Sequence, residues 1–159
     1  MLKLLDSFEA IARRANAFTD PSEVSESSLH AFDRRNIHPA LPGKVRKLFD
    51  DGHYAEATFE AFKYVDKTVQ RHGNSKESGV KLMMNVFNKD KPVVQLTSLS
   101  SPSEIDEQEG FRFLFSGGVM AIRNPRGHEF GVVDDIDMCL DHLAFASLLI
   151  RRLQQAGYV

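Results

Sequence analysis

Between His53 and Arg71 apolar residues recur every three or four positions. Tyr54, Ala57, Ala61, Phe62, Val65 and Val69 share one face, while Glu56, Glu60, Lys63, Asp66, Lys67 and Gln70 lie mostly on the other. His72-Gly73-Asn74 is a stop signal for that helix. The same period returns on both sides of it. A short helix is predicted near Lys44 to Asp50, and another over 78–88 with Val80, Leu82, Met83, Val86 and Phe87. The segment Pro92 to Leu96 reads as extended, with the option of a small strand. From Val45 onward the chain is therefore predicted to be an all-α helical bundle.

Ser101-Pro102-Ser103-Glu104 opens a further helix, with serine at the cap and acid in the first turn. Gly117 and Gly118 interrupt it, either for a tight helix crossing or to leave room for a ligand. The last helix is predicted from Asp134-Asp135 to Ala156-Gly157. Its middle, LAFASLLI at 143–150, is apolar all round, which implies burial on every side and suggests a subunit interface. Before the bundle, Leu2, Leu5, Phe8 and Ile11 mark an amphipathic helical arm, and TDPSEVSESS at 19–28 reads as a linker. The domain division is thus an arm and linker over 1–35 and a helical domain over 36–159.

Composition narrows the function classes. A chain of 159 residues with 42% hydrophobic content can form one cored domain. A net charge of −2 argues against a broad basic coat. One cysteine, Cys139, excludes an internal disulfide framework and a multi-cysteine zinc site, and its helical setting reads as core. No apolar stretch reaches transmembrane length, and the charged N-terminus does not read as a secretory signal. The expected location is the cytoplasm, with no membrane association. Nucleotide-loop, nucleophile-elbow and zinc-protease motifs are absent, and no cofactor or metal is expected.

One segment stands out: Ile122-Arg123-Asn124-Pro125-Arg126-Gly127-His128-Glu129. Proline disfavours helical backbone in the residue before it, so the helix is expected to break or kink at Asn124. On a straight helix Arg123 and His128 would stand about 140° apart. A kink, with the freedom of Gly127, would let them converge. Histidine moves protons near neutral pH, and arginine binds phosphate oxygens. Together they suit phosphodiester cleavage, in which the 2′-hydroxyl of RNA is the nucleophile and no metal is required. Arg126 is a candidate phosphate contact. Lys63 either pairs with Glu60 one turn away or lines an RNA groove. Gln108 and Glu109 are candidates for orienting the site.

Four blocks occur in order: GHYAEATFEAFKYVDKTV (52–69), GVKLMMNVFN (79–88), EQEGFRFLFSGGVMAIRNPRGH (107–128) and LDHLAFASLLIRRL (140–153). Over about residues 36–156 the chain resembles the Ymh-type family of bacterial and phage proteins, which looks like a branch of the HEPN superfamily. The resemblance implies a bundle of four or five helices. It implies a metal-independent endoribonuclease of a toxin, abortive-infection or antiviral defence system. Its motif would be Arg123, Asn124 and His128, facing a second copy across a homodimer. An antitoxin or another defence protein would be a further partner. The alternatives are a non-catalytic HEPN module that binds nucleic acid or nucleotide, and an interaction subunit of a larger defence assembly.

Overall fold

The computed structural model describes residues 29–129 and 131–159. The predicted arm helix and linker before them lie outside the described residues. The chain divides into two compact units, residues 1–30 and 31–159, and the description that follows is of the second.

Among the described residues every regular element is helical. In chain order they are α1 (Ala31–Arg34), α2 (Gly43–Asp50), α3 (Tyr54–His72), α4 (Gly79–Val86), α5 (Pro102–Gly117), a π-helical segment (Gly118–Arg123), α6 (Asn124–His128) and α7 (Ile136–Gln155). No helix is long and apolar enough to cross a membrane among them. This unit is a helical bundle with α3 at its centre. Ala57, Ala61, Phe62, Val65 and Val69, the predicted stripe of α3, are fully buried. They pack against α2, α7 and the π segment.

The apolar run of α7 is accounted for largely inside the chain. Leu143, Ala146, Leu149 and Ile150 are fully buried, while Leu148 points outward. The one polar residue in that run, Ser147, has both roles filled. Its hydroxyl donates to the Leu143 carbonyl at 2.7 Å and accepts the His38 amide at 2.9 Å. His38 in turn reaches Gln154 through Nε2 at 3.0 Å, so the segment entering the bundle is clamped along α7.

The extended reading of 92–96 gave no strand. The segment is irregular and is held by a single side chain. Fully buried Gln108 accepts the Leu96 amide at 2.7 Å and donates to the Phe87 and Val94 carbonyls, each at 3.1 Å. A buried backbone without a ladder partner needs such a substitute. Gln108 therefore pins a loop. Its neighbour Glu109 pairs with Arg112 at 2.8 Å.

The start of α5 follows the predicted cap and adds to it. Ser101 and Glu104 form a reciprocal capping box, and the Ser98 and Ser100 hydroxyls also donate to the Glu104 carboxylate. The Ser100 hydroxyl, then that of Ser98, holds the carboxyl down at about 2, against an ordinary 4.5. A lowered carboxylate contributes stability above its unfolded value and loses it as pH falls through the folded one. The melting-temperature advantage of the wild type over Glu104→Gln is thus expected at pH 6 and should vanish between about 4.5 and 2.

Gly118 answers the question of the glycine pair. A Cβ there would lie 2.8 Å from the Phe62 ring and 3.2 Å from the Phe145 ring, whereas one on Gly117 would meet nothing within 4 Å. The first glycine permits open space and the second a tight crossing of the π segment over α3 and α7. Gly118→Ala is expected to destabilise by about 1–3 kcal/mol through overpacking. Gly117→Ala should be neutral or stabilising by up to about 1 kcal/mol. Thermal unfolding of the two variants checks the contrast.

Candidate active site

The helix does not break at Asn124. Arg123 and Asn124 both keep right-handed helical backbone, with φ/ψ of −71°/−47° and −63°/−45°. The expected kink is replaced by the π segment. The Asn124 amide donates to the Val119 carbonyl, five residues back. The i→i+5 register opens the hydrogen-bond ladder where Pro125 supplies no N–H, so α5, the π segment and α6 run on as one rod. On helical backbone Arg123 and His128 remain about 140° apart, and one copy does not converge them.

Arg123 turns toward α3. Its guanidinium carbon lies 5.4 Å from the centroid of the Phe59 ring. Its Nη1 donates to the Asn124 side-chain oxygen at 3.2 Å. Its Nε is buried with no hydrogen-bond partner, and no carboxylate pairs with it among the described residues. Four other arginines, Arg35, Arg112, Arg126 and Arg152, each meet an aspartate or glutamate. Arg151 reaches a backbone carbonyl and Arg46 lies over the Phe32 ring, so Arg123 stands out by its buried, unpartnered Nε together with the lack of a carboxylate. Arg123 thus keeps an uncompensated charge beside the surface.

His128 closes α6 and is exposed, with no hydrogen bond or ion pair to Arg123 or Asn124. Lys63, also exposed, stands 6.0 Å from the same Phe59 ring that holds Arg123. It pairs with Glu60 at 3.3 Å, which also meets Lys44 at 3.1 Å. Burial pushes Glu60 up, but the two lysines outweigh it and hold the carboxyl below its ordinary value. Of the two readings of Lys63, the ion pair with Glu60 is present.

Arg126, a candidate for phosphate, turns inward. Its Nε donates to Asp134 at 2.7 Å, its Nη2 to the other oxygen of that carboxylate, and its Nη1 to the Ile122 carbonyl at 2.7 Å. The two side chains are only 9% and 4% exposed. This fork ties α6 to the chain entering α7. His142 stands beside it, 3.7 Å from Asp134, and burial, then the Arg126 charge, lowers its pKa. Cys139 is in the same buried layer, where it accepts from Thr58 at 3.6 Å. Burial pushes its thiol up to about 11, so it is a poor nucleophile.

Phe59 escaped the sequence reading. It lies about 60° from Phe62 around α3, at the edge of the apolar stripe. Only its pairing with a distant arginine reveals it. Among the described residues no three His, Cys, Asp or Glu gather to hold a metal ion.

A family model described as "Protein of unknown function (Hypoth_ymh)" matches residues 35–153. No curated protein and no solved structure matches the chain significantly.

Proposed function

We propose that the chain, which belongs to the Hypoth_Ymh family, is a HEPN-type, metal-independent endoribonuclease of a defence or toxin system. The observation that carries this reading is Arg123, a part-buried guanidinium with no carboxylate partner among the described residues, five residues before an exposed histidine. An anion is the natural complement of such a group. The order of the four sequence blocks adds support for the HEPN assignment.

The chemistry needs a proton acceptor, a proton donor and a cation. His128 takes the proton of a ribose 2′-hydroxyl. The O2′ attacks phosphorus, and Arg123 stabilises the charge on the phosphorane oxygens. The P–O5′ bond breaks, and a protonated His128 of a second copy gives its proton to the leaving oxygen. The products carry a 2′,3′-cyclic phosphate and a 5′-hydroxyl. Asn124 steadies the guanidinium through its side-chain oxygen.

A homodimer fits this scheme because one rod keeps Arg123 and His128 apart. Phe113, Leu114 and Met120 are exposed apolar side chains on the same rod, and they favour a second copy there. Lys63 borders the site and is assigned to the RNA backbone. Arg126 is assigned to the architecture of α6, since Asp134 occupies its fork.

The test is cleavage of a mixed RNA in EDTA, with the product ends identified by mass. Cyclic phosphate ends that are absent for His128→Ala support the reading. Binding without cleavage favours a non-catalytic module. Cleavage that persists in His128→Ala, in a preparation free of other nucleases, removes the catalytic assignment.

A further inference from the structure

Three groups converge on the Phe59 ring. Arg123 lies over it at 5.4 Å and Lys63 at 6.0 Å. From α6, Gly127 approaches so closely that a Cβ would fall 2.7 Å from the ring. An aromatic ring is a rigid neighbour, so a side chain at 127 would force ring and rod apart.

We propose that Phe59 is the positioning residue of the site, whose ring face holds the Arg123 guanidinium without neutralising it, and that Gly127 occupies the motif because it lets ring and rod meet. This inference rests on the endoribonuclease reading of Arg123. A carboxylate in the place of Phe59 would fix the arginine equally well but cancel its charge. The Asp134 fork does this to Arg126. The face of an aromatic ring attracts a cation through its quadrupole and occupies none of its N–H donors. The neutral Asn124 oxygen is the second hold, on one Nη only. The buried, unpartnered Nε follows from the same arrangement, because a ring offers that N–H no acceptor in its plane. Arg123 is thereby oriented with its charge intact for a developing phosphorane.

The test reads the arginine directly. In a side-chain ¹H–¹⁵N spectrum the Arg123 Nε–H resonance is assigned by its loss in Arg123→Lys. In the wild type and Phe59→Tyr it is expected at a ring-displaced position with slow solvent exchange. Phe59→Leu and Gly127→Ala should each lose that displacement. With RNA, the same two variants should lose about tenfold to a hundredfold in kcat with KM little changed, while Phe59→Tyr retains both. An Arg123 resonance that stays put in folded Phe59→Leu or Gly127→Ala overturns the proposal, as does an unchanged kcat. Should Phe59→Leu fail to fold, Gly127→Ala asks the same question from the other side of the ring. If the wild type cleaves no RNA, the endoribonuclease reading fails, and the resonance alone decides the positioning role.

Discussion

His128→Ala is expected to lower RNA cleavage by about 10²–10⁴-fold, the usual worth of a positioned proton-transfer group. The melting temperature should barely move. His128 is exposed at the end of α6, where substitutions away from special features cost within about 0.5 kcal/mol. That combination separates a catalytic histidine from a structural one. His38 supplies the contrast within the same chain. It is buried, accepts the Ala40 amide at 3.1 Å and reaches Gln154 at 3.0 Å, so its loss would be felt in stability first. A mixing experiment extends the prediction to the dimer. Combining Arg123→Ala and His128→Ala chains should restore only the part of the activity that one histidine supports, because a mixed pair holds one intact arginine and a single histidine for either the base or the acid step. Cleavage rate and thermal unfolding, measured on the same preparations, check both halves.

The helical architecture was legible because its signals are local. The stripe of α3 and the cap of α5 depend on residues three and four apart, and both elements formed where that spacing placed them. For the candidate site, the sequence offered residue types and not their geometry. Proline's effect on Asn124 is a local preference, and tertiary packing overrode it. Gly118 sits against Phe62 and Phe145, and the widened π turn absorbs the missing N–H of Pro125. Arg126 looked like a phosphate ligand because its partner, Asp134, lies eight residues on, beyond any helical spacing. Phe59 was hidden for a similar reason. Its partners are Arg123 and Gly127 on another helix, and no periodicity links them. The apolar run of α7 was ambiguous in kind, since a chain interior and a subunit interface demand the same residues.

The inward turn of Arg126 leads to the largest stability effect. Asp134→Ala is expected to destabilise the fold by about 3–5 kcal/mol, because it strands a buried guanidinium. Arg126 is 9% exposed at its side chain, and without Asp134 only the Ile122 carbonyl holds it. Burial raises the Asp134 carboxyl, but Arg126 outweighs it and holds the group below its ordinary 3.8. The stabilisation is therefore present above 3.8 and is lost as pH falls further. His142 acts in the same direction at higher pH. Burial, then Arg126, lowers it from 6.5, so the folded state resists the proton that the unfolded chain accepts below that pH. Acidification from neutrality should lower the melting temperature in two stages, first near His142 and then near Asp134. Asp134→Ala should shrink the second stage and leave the share that Glu104 contributes in the same range. A double change to Arg126→Leu and Asp134→Leu removes both charges and should recover much of the loss, since the cost lies in an unpaired buried ion. Urea unfolding of the two single variants and the double variant measures that coupling. If the double variant is as unstable as the sum of its parts, the loss comes from packing around α6 and the charge pair is not its source.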